Sequence, residues 1–181
     1  MTTYIALLRA VNLAGINKVS MSDLRELAAA LDLQDARTLL QSGNLVFRST
    51  VSSAEKLERL LQDAAARELS VSTEFFVRSA AEWSAVIEAN PFPAEAKSDP
   101  GHLLVMALKD APPHAAVAAL QSAIKGREIV RAKGRQAFIT YPDGVGRSKL
   151  TVKMIEQKLG TRGTARNWNT VLKLAAMAGE K

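Results

Sequence analysis

Arg37-Thr38-Leu39-Leu40-Gln41-Ser42-Gly43-Asn44-Leu45-Val46-Phe47-Arg48 is the stretch that decides the fold. A strand near Arg37 to Gln41 turns at Ser42-Gly43 into Leu45-Val46-Phe47-Arg48, a hairpin signal in which glycine supplies the positive φ of the turn. Outward from it, Tyr4 to Val11 is a β run. Ser22 to Leu31 is a helix with Leu24, Leu27, Ala28 and Leu31 on one face and Ser20 or Ser22 as its N-cap. Ala54 to Leu69 is amphipathic through Leu57, Leu60, Leu61 and Ala64, and Thr73 to Arg78 is a further strand. The order is β-α-β-β-α-β.

The same order recurs after a connecting helix, Ala80 to Glu88, and the breaker Asn90-Pro91-Phe92-Pro93. His102 to Leu108 is a strand and Ala115 to Ala123 a helix. Glu128 to Arg131 and Gln136 to Tyr141 form a hairpin about Lys133-Gly134-Arg135, followed by a helix, Lys149 to Leu159. Gly163 to Arg166 is the last strand and Trp168 to Met177 a terminal helix. The expected fold is therefore α+β: tandem ferredoxin-like (α/β-plait) units with antiparallel sheets and an extra C-terminal helix. Residues 1–79 make the first unit, 80–100 a connecting helix and Pro-containing linker, and 101–181 the second unit. A single mixed sheet is the alternative, since element order does not fix pairing. Tyr4 to Leu8, Leu45 to Phe47 and Leu103 to Ala107 are apolar on both faces, so the chain is expected to cover both faces of each sheet.

With 181 residues, 48% hydrophobic and 23% charged, the composition is that of a globular protein. Arg9 interrupts the first apolar stretch and no long uncharged apolar run follows, so a membrane span or secretion signal is not expected and the cytoplasm is. The absence of cysteine excludes disulfides, thiol catalysis and thiolate metal sites. His102 and His114 are the only imidazoles, and no metal cluster or cofactor motif is read. Charge is uneven: residues 1–100 hold 10 Lys and Arg against 13 Asp and Glu, residues 101–181 hold 14 against 5. This asymmetry favours an anionic partner, a phosphate-bearing ligand or nucleic acid.

Two polar loops are candidate anion sites. In the expected fold, Arg9, Asn12, Asn17 and Lys18 after the first strand face Gln41, Ser42 and Asn44 of the hairpin, a donor-rich cluster from two distant segments. The alternative is that its amides simply satisfy loop backbone. In the second, Asp143-Gly144-Val145-Gly146-Arg147-Ser148-Lys149 opens a helix, and Arg147, Ser148 and Lys149 join its free amides, with Ser148 as an N-cap the plain alternative. The end of the last strand brings Arg166, Asn167 and Asn169 toward the same edge, with Trp168 as a core anchor. No catalytic residue is named, because no paired carboxylates or nucleophile-base pair stand out.

Leu8-Arg9-Ala10-Val11-Asn12, Asn17-Lys18-Val19-Ser20-Met21, Gln41-Ser42-Gly43-Asn44, Gly146-Arg147-Ser148-Lys149-Leu150 and Arg166-Asn167-Trp168-Asn169-Thr170 together resemble the bacterial domain of unknown function 1697 family. The resemblance implies a small cytosolic bacterial protein of two α/β-plait subdomains with no established activity. The family commonly carries glycine where this chain has Ala10 and Ala14, a less permissive first loop. Three function classes follow: a module binding an anionic ligand or nucleic acid, a protein-interaction or regulatory protein, and a small enzyme with a phosphorylated substrate. The strands lack the aromatic alternation of RNA-recognition modules.

Overall fold

Gly43 builds the first hairpin. Its φ is +77°, and a Cβ there would lie 2.7 Å from Val11 Cγ2 and 2.8 Å from Leu8 Cβ, so conformation and space both demand glycine. The computed structural model describes residues 1–179, and in it this turn joins β2 (Gln34–Thr38) to β3 (Asn44–Ser49). The expected strand over Arg37 to Gln41 is corrected: it lies three residues earlier, because Leu40 takes φ +60° and Leu39 N–H closes on the Asn44 carbonyl. Likewise β1 (Thr2–Leu8) stops short of Val11, since Ala10 already has φ +51°.

Among the described residues the chain is a mixed α+β fold of two four-stranded antiparallel sheets and seven helices. It divides into two compact units, Met1–Ala85 with the chain end from Lys173, and Val86–Leu172. In the first, the strand order is β2-β3-β1-β4, with β4 at Phe75–Ser79. Helices α1 (Met21–Ala30) and α2 (Ala54–Glu68) are capped by Ser20 and Ser53, whose hydroxyls accept from Asp23 N–H and Lys56 N–H. Their apolar stripes, Leu24, Leu27 and Ala28 with Leu57, Leu61 and Ala64, share one core with Tyr4, Ala6, Leu8, Leu45, Phe47, Phe75 and Val77. Leu60, expected on the buried stripe, is exposed. Ile5, Leu7, Val46 and Phe76 alternate to the other face and are also buried. Each such side chain contributes about 1.5–3 kcal/mol, so both faces carry the stability of the sheet.

In the second unit the order is β6-β7-β5-β8, from β5 (Leu103–Leu108), β6 (Ile129–Lys133), β7 (Gln136–Thr140) and β8 (Gly163–Asn167). Met106, Leu108, Ala137 and Ile139 pack with Leu120 of α5 (His114–Ala123) and Ile155 and Leu159 of α6 (Val152–Leu159). Leu103, Val105 and Phe138 are buried on the opposite face, while Leu104 is only partly buried. Helix α3 (Ala80–Glu88) matches the expected connecting helix and α7 (Trp168–Gly179) the terminal one. Helix α3 ends before the breaker Asn90-Pro91-Phe92-Pro93, and a short helix not read from the sequence, α4 (Pro93–Ser98), starts at its last residue, because proline fits the first turn of a helix, where its missing N–H is not needed.

The expected helix over Lys149 to Leu159 begins only at Val152. Val145–Arg147 is a 3-10 turn, and Thr151, not Ser148, caps α6 by accepting from Met154 N–H. No helix of the described residues is long and apolar enough to cross a membrane.

Candidate anion-binding site

The first loop is held by its own amides. Asn12 Nδ2 donates to the carbonyls of Gln41 (2.7 Å) and Val19 (2.9 Å), and Asn12 Oδ1 accepts from Val19 N–H at 2.9 Å. Asn44 is fully buried and donates to Leu39 O (2.7 Å) and Ser42 Oγ (3.1 Å); Asn17 reaches the Ala10 and Ser72 carbonyls at 3.4 and 3.5 Å. Arg9 pairs with Glu74 at 3.9 Å. The two segments therefore meet, but their donors close backbone, which is the work buried and half-buried amides usually do. What remains is an open depression of about 430 Å³ lined by Asn12, Gly15, Lys18, Val19, Ser20 and Gln41, with Lys18 its one lining cation.

A larger cavity of the first unit, about 860 Å³, lies beside β2 and β3. In its lining Arg48 pairs with Asp35 at 3.1 Å, and Arg37 donates to the Met177 carbonyl.

The second unit holds a different kind of space, a cavity of about 510 Å³ between the segments Ala123–Glu128 and Asp143–Leu150. Lys125, Arg147 and Lys149 line it and are all exposed. Its wall also carries Ile124, Leu150 and Met154, so cationic and apolar side chains share the lining. The Arg127 guanidinium forks onto Asp143, Nε–Oδ2 3.0 Å, and this hydrogen bond holds the Asp143 carboxyl below its ordinary range, with Arg147 adding through space. One of the two lining carboxylates is thereby neutralised.

Glu128 is the other, half-buried one. Ser148 Oγ donates to Glu128 Oε1 and accepts from Leu150 N–H at 3.0 Å, so the hydroxyl fixes a carboxylate 20 residues away. The Glu128 carboxylate lies against Gly126, where a Cβ would fall 2.1 Å from Oε2. Beneath, Tyr141 donates to Leu150 O at 3.2 Å, and burial followed by the nearby Glu128 charge pushes its ionisation up to about 12.

Of the residues singled out from sequence, Arg147, Ser148 and Lys149 share this cavity, whereas Arg166, Asn167 and Asn169 do not line it. Arg166 is buried, its Nη1 on Thr164 Oγ1 (2.9 Å) and the Ala165 carbonyl (2.8 Å), and burial lowers its pKa to about 10. Asn167 Oδ1 accepts from Thr170 N–H and caps α7, and Asn169 is exposed. Glu128 was in neither candidate loop; Lys125 and Arg127 were visible only as part of the basic excess after residue 100, and Asp143 only as the first residue of the second loop. Among the described residues, no group of three or more His, Asp or Glu side chains is placed to hold a metal ion.

A family model described as "Protein of unknown function (DUF1697)" matches residues 1–138. No curated protein matches the chain. The chain is similar to a solved structure described as "The structure of conserved bacterial protein SP0830 from Streptococcus pneumoniae", with 24% identity, TM-score 0.74 and 98% of each chain covered. At that identity the likeness shows the fold.

Proposed function

We propose that this chain, which belongs to the DUF1697 family, binds a phosphate-bearing small molecule in the cavity of its second unit. The observation that carries the reading is the placement of Lys125, Arg147 and Lys149 around one 510 Å³ cavity with an apolar wall, a size and lining suited to a small ligand. Ammonium and guanidinium groups so grouped favour a dianion, and an apolar wall gives its carbon part somewhere to lie. The two sheets, in orders β2-β3-β1-β4 and β6-β7-β5-β8, are compatible with tandem ferredoxin-like units. Nucleic acid is the less favoured ligand, because stacking on a sheet needs a free face and Ile5, Val46, Val105 and Phe138 are buried.

Calorimetric titration with inorganic phosphate tests the reading. Saturable one-site binding is expected, weakened at least tenfold in Arg147→Ala/Lys149→Ala, since each charge-assisted bond contributes about 1.5–3 kcal/mol. Affinity unchanged in that double variant removes the cavity as the site.

A further inference from the structure

Resting on that reading, the geometry points to a ligand class: we infer that the cavity takes a phosphorylated polyol, with its phosphate on Lys125, Arg147 and Lys149 and its hydroxyls on Glu128. Inorganic phosphate would leave part of this wall unused, because Glu128 lines the same cavity as the three cations. A carboxylate in an anion site is favourable when the ligand also brings donors. Ionised glutamate offers about four acceptor positions, and Ser148 uses one of them on Oε1. The group is also held in place by Ser148 Oγ, which donates to one oxygen, while the other lies over Gly126. An acceptor fixed in this way costs little ordering on binding and selects hydroxyl-bearing ligands over isosteres without them. Ile124, Leu150 and Met154 supply contact for the carbon chain.

Three probes separate the parts: inorganic phosphate, methyl phosphate and glycerol 3-phosphate, titrated into the full chain. Methyl phosphate carries the same phosphomonoester without hydroxyls. Glycerol 3-phosphate is expected to bind at least about tenfold more tightly than methyl phosphate. Glu128→Gln keeps an oxygen for Ser148 but loses the charge, and is expected to abolish that preference, read as the ratio of the two ester affinities. Equal affinity for the two esters in the unaltered chain overturns this inference and leaves the phosphate reading standing, and it needs no variant to be folded. A preference that persists in Glu128→Gln overturns the assignment to Glu128. Absence of binding by all three probes overturns both.

Discussion

Ala10, Asn12, Ala14 and Asn17 all sit at φ between 48° and 54° within one loop. For asparagine this is ordinary, and Asn12 earns it with three hydrogen bonds; for alanine the left-handed region costs about 1–2 kcal/mol. Glycine at position 14 relieves that cost but gives back about 0.5–1 kcal/mol of chain entropy. Ala14→Gly is therefore expected to stabilise the protein by about 0.5–1 kcal/mol in denaturant titration, whereas Gly43→Ala, with Cβ contacts of 2.7–2.8 Å, is expected to destabilise it by more than about 2 kcal/mol. An Ala14→Gly variant less stable than the parent would show that the loop is not strained. The polar character of this loop was legible from its asparagines. Closure of loop backbone by these amides was one of the two alternatives legible there; which carbonyls they reach, those of Val19, Gln41 and Leu39, was not, because any residue supplies them.

Tyr141 gives a pH-dependent test at the same scale. Its ionisation moves from about 10 to about 12 on folding, through burial first and Glu128 second. Between those values the unfolded chain releases a proton that the folded one keeps, so Tyr141 contributes a loss of stability as pH rises through the window. Tyr141→Phe is expected to make stability less steep between pH 10 and 12 than in the parent, measured by denaturant midpoints. An identical slope in the two would mean that the phenol is not held protonated by its surroundings.

Element boundaries follow from where outer strands find hydrogen bonds. β4 is an edge strand, and α2 covers it: Gln62 Oε1 accepts from Phe75 N–H at 3.1 Å and Glu58 Oε1 from Val77 N–H at 2.8 Å, with Arg78 4.0 Å from the same carboxylate. In the second unit Glu156 of α6 accepts from Gly163 N–H at 3.0 Å, and Gln121 of α5 accepts from Val130 N–H at 2.8 Å on the opposite edge, β6. Side chains on helices thus close edges that would otherwise offer unpaired backbone. Glu58→Ala removes a buried acceptor and a charge beside Arg78, and is expected to cost about 2–4 kcal/mol, read from the urea midpoint. A cost under about 0.5 kcal/mol would show that β4 does not rely on α2. Helix periodicity made α1, α2 and α3 legible. The start of α6 was misread because Ser148, Thr151 and the following apolar residues offer two cap positions, and only the tertiary bond from Ser148 to Glu128 decides between them.

At the scale of the whole molecule the two units share a residue-level plan. Register places Arg37, Val46, Ile5 and Arg78 in one row across the first sheet, and Arg131, Phe138, Val105 and Arg166 in the corresponding row of the second. The units differ in their loops: the first hairpin edge is bound up by asparagines, and the second leaves Lys125, Arg147 and Lys149 around an open cavity. The excess of Lys and Arg after residue 100 was visible in the sequence, as was burial of both sheet faces, now seen at Ile5, Leu7, Val46, Phe76 and Val105. Which basic residues share a cavity was not visible, because it depends on bringing Ala123–Glu128 against Asp143–Leu150. The most direct measurement is backbone amide shift mapping by NMR during titration with inorganic phosphate. Saturable shifts confined to residues 123–128 and 143–150 are expected; shifts centred on Gly15 to Ser20, or none above those of a chloride control at equal ionic strength, would contradict the account.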